Sequence, residues 1–181
     1  GCGGKPVADD GTVAGWPEYG GDKGGLRYSP IAQITRANVD RLEVAWTYRH
    51  GDFSNGSATE TKTSFGATPI LVEGQLVFCT PLSRVIAVDP ETGVERWSYD
   101  PQVRNRHFEG TPSTRVCRGV AHWRDAGVAA SGACTSRIFA ATLDSELLAI
   151  DAKTGKTCAD FGRDGRVDLR EGLDPAPAWE R

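Results

Sequence analysis

The sequence predicts an all-β chain that forms part of a β-propeller, with about two blades plus one outer strand. The first observation is a nine-residue motif that occurs twice, at residues 85–93 and 147–155, sixty-two residues apart. Each copy is an apolar run that ends in Asp and is followed, after two further residues, by Thr-Gly. The run is typical of a buried strand and the Thr-Gly of a tight turn, because glycine readily takes a positive φ. A repeat of this length built of short strands indicates propeller blades.

Two further observations support this fold. Residues 75–78, which precede the first motif, have a counterpart in residues 136–139. Residues 43–48 alternate polar and apolar as a half-buried strand does, and residues 95–99 again read Glu followed by Trp-x-Tyr. We therefore expect two four-stranded antiparallel blades, with 43–48 as an additional strand. Trp46 and Trp97 then occupy equivalent places, either tying neighbouring blades through the indole N–H or filling the core as ordinary tryptophans.

The order of elements along the chain follows from these repeats. The first blade starts with a hairpin at residues 68–80, and the second runs from residue 136 to residue 158. Between them, residues 101–135 form a long connection, a length that is usually functional or disordered. This connection is locally basic, with Arg104, Arg106, His107, Arg115 and Arg118.

Length and composition narrow the class of protein. The chain has 181 residues and a formal net charge of −3, so nothing favours nucleic acid as a partner. No apolar run approaches the roughly 18 residues that a membrane helix needs. Two blades of about 60 residues do not close a ring, so the chain either is a piece of a longer protein or assembles with others; we favour the piece, which we expect to be poorly stable alone. Residues 1–14 are expected to be a flexible leader, and residues 15–181 the propeller portion.

The five cysteines lack the C-x-x-C spacing of zinc sites. Cys117 and Cys134 bracket a loop rich in Ala, Gly and Ser, where a disulfide would stabilise by about 3 kcal/mol. The alternative is that all four inner cysteines are reduced strand residues. Cys2, followed by two glycines and a polar stretch, resembles the start of a bacterial lipoprotein after signal removal, and is then a lipid anchor. It is otherwise an arbitrary residue near an arbitrary end.

An ordered set of short motifs runs from Trp16 to Leu169. It includes W-x-x-Y-G-G-D and R-Y-S-P at 16–30, A-W-T-Y at 45–48, C-T-P at 79–81 and C-R-G-V at 117–120. The set resembles the N-terminal part of the propeller of membrane-type PQQ-dependent dehydrogenases, the glucose/quinate/shikimate dehydrogenase family.

The resemblance implies an eight-bladed propeller with PQQ on its axis and a calcium or magnesium ion beside the quinone. It also implies oxidation of a sugar or polyol, electron transfer to ubiquinone, and a periplasmic, membrane-associated location. The family's catalytic Asp and Lys and its metal ligands lie in blades outside this sequence. We therefore expect no catalytic residue and no metal ligand here, and no turnover by this piece alone.

The resemblance also assigns cofactor residues. Arg118 matches the arginine that reaches a PQQ carboxylate, a role that suits the two-pronged guanidinium, although a solvated loop arginine is the alternative. Thr142 matches a threonine whose hydroxyl binds PQQ, or is an ordinary strand residue. Thr114 stands where the family carries a histidine over the cofactor, and His107 is too far upstream to replace it. Gly66 stands where family members often carry an acidic residue.

A second class of function uses similar blades. A non-catalytic propeller lipoprotein that acts as an outer-membrane assembly scaffold also has Asp-x-x-Thr-Gly turns followed by Trp. Such a scaffold has no need of the opening at 16–30 or of the Arg118-Gly119 pair. Both features are present, so the sequence favours the dehydrogenase.

Overall fold

A computed structural model describes residues 15–56, 61–103, 114–125, 127 and 132–172. Eight strands form two four-stranded antiparallel sheets, each in chain order. The first sheet contains β1 (Ile70–Val72), β2 (Gln75–Cys79), β3 (Val85–Val88) and β4 (Glu95–Tyr99). The second contains β5 (Ala121–Arg124), β6 (Ser136–Ala141), β7 (Glu146–Asp151) and β8 (Arg166–Asp168). The predicted all-β, two-blade architecture is confirmed.

Helix is confined to one short turn within these residues. It is the 3-10 turn Val39–Arg41, with no buried residue. No helix in the described ranges has the length and apolar character that crossing a bilayer requires.

The two sheets repeat one another with the period read from the sequence. Leu76 of β2 lies opposite Val88 of β3, and Ile138 of β6 lies opposite Ile150 of β7, sixty-two residues further on. The facing sides of the sheets share one apolar core. Its largest fully buried members are Ile70, Val77, Val85, Ile138, Leu148 and Ile150.

The two Asp-x-x-Thr-Gly turns have the same hydrogen bonds. Asp89 Oδ1 accepts from the backbone N–H and hydroxyl of Thr92 at 2.9 and 3.0 Å. Asp151 Oδ1 accepts from the same two groups of Thr154, each at 2.9 Å. In both turns a glycine follows with φ +71°, a conformation that a side chain disfavours. The repeated motif is therefore a side-chain-capped turn, as predicted.

Each blade tryptophan packs on the turn glycine of a motif. A Cβ added at Gly93 would lie 2.5 Å from the Trp46 ring, and one at Gly155 would lie 2.7 Å from the Trp97 ring. Trp46 Nε1 also donates to Pro90 O at 3.1 Å. Ala152 is the equivalent of Pro90 in the second blade. Its carbonyl instead accepts from the buried side chain of Gln75, with Nε2 at 2.9 Å from the oxygen. The predicted hydrogen bond from an indole N–H is therefore present for Trp46, whereas Trp97 contributes through packing.

The predicted strand at residues 43–48 is wrong. Among the described residues no strand pairs with it, and an extended segment without ladder hydrogen bonds is not a β-strand. Side chains hold the segment instead. Tyr48 Oη donates to Glu95 Oε2, and burial together with the nearby Glu95 carboxylate raises the pKa of Tyr48 to about 12.

The second blade is longer than the predicted range of 136–158. It gains β5, inside the stretch interpreted as a connection, and β8 near residue 168. Neither strand has the buried apolar run that marks the others, because both lie at the edges of their sheet and their residues are largely exposed or half-buried. Edge strands carry a weak sequence signal for this reason.

The predicted Cys117–Cys134 disulfide is also wrong. Cys117 is bonded to Cys79 and Cys134 to Cys158, with Cα–Cα distances of 5.9 and 5.7 Å. Each bond joins a loop cysteine to a fully buried one, Cys79 at the end of β2 or Cys158 after β7. They close loops of 38 and 24 residues, which correspond to about 3–4 kcal/mol each in the chain-entropy picture. Cys2 lies outside the described residues.

His122 is expected to make the stability of the second sheet depend on pH. Burial lowers the pKa of His122 below 6.5, although the nearby Glu73 carboxylate acts in the opposite direction. The unfolded chain therefore takes up this proton at a higher pH than the folded chain, and stability falls as pH decreases through about 6.5. We expect the midpoint temperature of unfolding to decrease as the pH is lowered from about 7 to about 5, and to decrease less in His122→Gln. Thermal unfolding of the wild-type protein and of His122→Gln across this pH range measures the two decreases. Equal dependence of the midpoint on pH in both proteins would contradict the role of His122.

Candidate functional site

The strand order places two sets of turns at opposite ends of the sheets. The Asp-x-x-Thr-Gly turns lie at one end, together with the β1–β2 turn at Glu73 and Gly74. The β2–β3 turn at 80–84 and the β6–β7 turn at 142–145 lie at the other, here named the site end. These two turns are in contact, since Leu143 N donates to Ser83 Oγ at 3.2 Å. The site end therefore belongs to both blades.

The two strongest cofactor candidates, Arg118 and Thr142, both lie at the site end. Ala121 of β5 lies opposite Phe139 of β6. The ladder ends at this pair, so that Arg118, three residues before Ala121, and Thr142, three residues after Phe139, both lie beyond its last hydrogen bonds. The strand order thus brings both residues to the same end of the sheet, although the chain separates them by the whole β5–β6 connection.

Arg118 is held by its main chain and exposes its side chain. Its carbonyl accepts from Thr68 N at 3.2 Å, and its neighbour Cys117 is bonded to Cys79. Arg115, three residues earlier, is only 5% exposed, and burial lowers the pKa of its guanidinium. Of these two basic residues, Arg118 is the one whose side chain is exposed. Arg104, Arg106 and His107 lie outside the described residues.

Thr142 is a turn residue whose hydroxyl has one proton to offer. Its Oγ1 accepts from the N–H groups of Asp144 and Glu146, both at 3.2 Å. The counterpart in the first blade, Thr80, accepts from Arg84 N and donates its own proton to Asp52 Oδ2. No described residue receives the hydroxyl proton of Thr142. Its hydroxyl is therefore available as a donor.

The structure shows the surroundings of Gly66 and Thr114, the two positions that depart from the pattern expected from the resemblance. A Cβ added at Gly66 would lie 2.7 Å from Val116 Cγ2, so this valine occupies the space of a larger side chain. Thr114 is exposed at the edge of a described range. An acidic residue at position 66 would require the valine to move.

The opening segment reaches the Arg118-Gly119 pair, a contact that sequence reasoning missed. Leu71 N donates to Trp16 O at 2.7 Å, which places the segment beside β1. Tyr19 Cδ2 would lie 3.5 Å from a Cβ at Gly119. The Arg27 guanidinium lies 4.8 Å from the centre of the Tyr19 ring, and hydrogen bonding to it lowers the pKa of Tyr19. Nothing in the spacing of residues this far apart predicts their contact.

Asp52 is a second residue that contacts the site end and was not predicted from the sequence. Its Oδ2 accepts from the Thr80 hydroxyl at 2.5 Å and from Arg84 Nε at 3.1 Å. Arg84 also donates to His50 O. These bonds attach the loop that follows Tyr48 to the β2–β3 turn at the site end.

A separate apolar cavity lies on the far face of the first sheet. It has a volume of about 400 Å³ and lacks the candidate cofactor residues. Its lining is mainly aromatic and aliphatic: Trp46, Tyr48, His50, Phe65, Pro69, Leu76, Phe78 and Val88. This face is the kind of surface that a neighbouring sheet covers in a propeller.

Comparison with known proteins gives the same family as the motifs. The family described as "PQQ: Glucose/ethanol/alcohol dehydrogenase, beta-propeller domain" matches residues 16–180. The quinoprotein glucose dehydrogenase A of Acinetobacter calcoaceticus is 37% identical over 169 residues, covering 86% of this chain and 20% of that protein. The quinate/shikimate dehydrogenase (quinone) of Acinetobacter baylyi is 33% identical over 193 residues, covering 97% and 23%.

A solved structure agrees at the level of the backbone. The quinohemoprotein alcohol dehydrogenase from Comamonas testosteroni superposes with a TM-score of 0.67 and 32% identity, covering 90% of this chain and 20% of that one. The chain thus spans about a fifth of the length of the relatives it matches. It belongs to the β-propeller family of PQQ-dependent glucose, ethanol and alcohol dehydrogenases.

Proposed function

We propose that this chain is the N-terminal part of a PQQ-dependent dehydrogenase that oxidises a sugar or polyol and passes electrons to ubiquinone. The observation that carries the proposal is the exposed Arg118, held by its main chain at the site end, where Thr142 also lies. Two relatives, a quinoprotein glucose dehydrogenase and a quinate/shikimate dehydrogenase (quinone), support the substrate class and the acceptor.

The donors at the site end fit this cofactor chemically. PQQ carries several carboxylates and quinone oxygens, which are all hydrogen-bond acceptors. The Arg118 guanidinium would hold one of these carboxylates, because its planar fork can donate two parallel hydrogen bonds and neutralise the charge. The hydroxyl of Thr142 adds one neutral donor. We keep Thr114 as a third, peripheral cofactor candidate because it precedes Arg118 in the same segment.

A calcium or magnesium ion is part of the proposal, with its ligands outside this chain. Within the described residues, the one grouping of metal-ligating side chains is Cys134, Cys158 and Asp160. Its two sulfur atoms are joined to one another and offer no thiolate. When bound, PQQ supplies the quinone that accepts hydride from the alcohol. The part of this chain is to bind and orient that group, and we propose that it does not turn over substrate alone.

The proposed location is the periplasm, in association with a membrane. Two disulfides in so short a chain favour an oxidising compartment. Attachment would come from a lipid on Cys2 or from a segment outside this sequence.

Arg118→Ala in the full-length protein is expected to weaken PQQ binding by about 1.5–3 kcal/mol, or roughly 10- to 150-fold. The loss reflects a charge-assisted pair, so Thr142→Val, which removes one neutral donor, should lose less. Titration of the apo-protein with PQQ, followed by tryptophan fluorescence, measures both affinities at constant metal concentration.

The matched control is Arg124→Ala. Arg124 is also exposed and lies on β5, but it pairs with Glu73 at 3.3 Å at the end opposite the site end. We expect its PQQ affinity to match that of the unaltered protein. Unchanged affinity in Arg118→Ala would refute the role of this residue. A full-length protein that does not bind PQQ at all would favour the assembly-scaffold alternative.

A further inference from the structure

The two disulfides of this chain differ in what they hold in place. The Cys134–Cys158 bond joins the segment before β6 to the segment after β7, at the end opposite the site end. The Cys79–Cys117 bond joins the end of β2 to the residue directly before Arg118, at the site end. Only the second bond ends beside a candidate cofactor residue.

The position of the Arg118 guanidinium depends on its main chain. The side chain is exposed, so packing does not fix it in place. The main chain is held by the Thr68–Arg118 hydrogen bond at 3.2 Å, by the ring of Tyr19 beside Gly119, and by the disulfide. The disulfide is the only covalent one among these three anchors. Of the three, it is also the one that attaches the Arg118 segment to a buried strand, because Cys79 is 1% exposed and lies in β2.

We propose that the Cys79–Cys117 disulfide is a positioning element for cofactor binding, which holds Arg118 at the distance and direction needed to meet a PQQ carboxylate. The inference rests on the proposed function, since it assumes that Arg118 binds PQQ. The physical reason is pre-organisation: a donor that is already held in place loses less conformational freedom on binding. Without the bond, the main chain at Arg118 keeps its hydrogen bond to Thr68 and its contact with Tyr19, and the nearest buried residues of its segment are Arg115 and Val120, two to three positions away.

The second disulfide provides a matched control. The two bonds close loops of similar length, 38 and 24 residues, so their effects on the entropy of the unfolded chain are similar. Both join a half-buried cysteine to a fully buried one. Removal of either bond should lower thermal stability to a similar extent. A difference in PQQ affinity between the two variants therefore reports position and not general stability.

The experiment compares two double variants of the full-length apo-protein. The first carries both Cys79→Ala and Cys117→Ala, and the second carries both Cys134→Ala and Cys158→Ala. PQQ affinity is measured by fluorescence titration at a temperature where both variants are folded by circular dichroism. We expect a three- to tenfold weaker affinity for the first variant and less than a twofold change for the second. Equal losses in both variants, or no loss in the first, would overturn the inference.

A double-mutant cycle with Arg118→Ala distinguishes positioning from other effects of the bond. If the disulfide acts through Arg118, its removal has no further effect on PQQ affinity once Arg118 is alanine. A loss that persists in the Arg118→Ala background would overturn the inference. If Arg118→Ala alone leaves affinity unchanged, the proposed role of Arg118 fails first. If Arg118→Ala weakens binding and disulfide removal does not, only the positioning role fails.

A second route covers a variant that does not fold. The folded wild-type apo-protein is treated with dithiothreitol, which reduces the disulfide to two thiols and is itself oxidised to a cyclic disulfide. The thiols are alkylated, and peptide mass spectrometry identifies which pair was opened. Protein opened at Cys79–Cys117 should bind PQQ three- to tenfold more weakly than untreated protein. Unchanged affinity in that fraction would overturn the inference.

Discussion

Gly155→Ala is expected to destabilise the two-sheet unit by about 2–4 kcal/mol. Gly155 has φ +71°, and a Cβ there would lie 2.7 Å from Trp97 Cε3 and 2.8 Å from Cδ2. The backbone conformation costs about 1 kcal/mol for a residue with a side chain. The overlap with the indole adds about 1–3 kcal/mol, because a packed ring in the core cannot move aside without disturbing its neighbours. Chemical denaturation of the wild-type and variant proteins measures the difference.

Gly74→Ala separates the two contributions. Gly74 has a similar φ of +67°, but a Cβ there would meet nothing within 4 Å. This variant should therefore show only the backbone cost of about 1 kcal/mol. Equal losses for Gly155→Ala and Gly74→Ala would contradict the packing of Trp97 on the turn glycine.

Asp151→Ala is expected to cost about 2–4 kcal/mol, because one buried carboxylate caps a turn and also holds a neighbouring segment. Oδ1 accepts from Lys153 N, Thr154 N and the Thr154 hydroxyl, at 2.9–3.0 Å. Oδ2 accepts from Cys134 N at 2.6 Å. Burial alone would raise the pKa of Asp151, but these hydrogen bonds outweigh burial and lower it. Alanine would leave these donors unsatisfied in a site that is 6% exposed.

Asp89→Ala is the matched change in the first blade. Asp89 caps the same type of turn, but its Oδ2 pairs with Arg96 at 2.6 Å on the exposed side of the sheet and not with a buried backbone N–H. Water can replace that partner, so we expect a smaller loss than for Asp151→Ala. Denaturation midpoints of the two variants give the comparison. A larger effect at Asp89 would mean that the bond to Cys134 N contributes little.

Local chemistry explains which parts of the fold could be predicted from sequence. Residues 85–93 and 147–155 combine a period-two apolar run with an Asp and a Thr-Gly, and each feature acts within a few residues. Strands β3 and β7 and their turns therefore lie where the repeat predicts. The prediction for residues 43–48 was wrong because alternation shows that a segment suits a strand, whereas a strand also requires a paired neighbour.

Long-range pairing explains most of the remainder. The cysteine pairs join elements that are 38 and 24 residues apart, and nearness in a loop is a poor guide to which cysteines meet in space. The site shows the same division. Arg118 and Thr142 were identified by resemblance, but their placement at the same end of the sheets depends on the strand order. The contact of Tyr19 with Gly119 has no local signal at all.

The most direct test of the central claim is a structure of the full-length protein with PQQ bound. The account predicts PQQ at the site end, with a carboxylate within hydrogen-bond distance of the Arg118 guanidinium and an oxygen acceptor facing the Thr142 hydroxyl. PQQ bound at the opposite end, beside the turns of Asp89 and Asp151, would contradict it. PQQ bound at the site end without contact to Arg118 would contradict it as well.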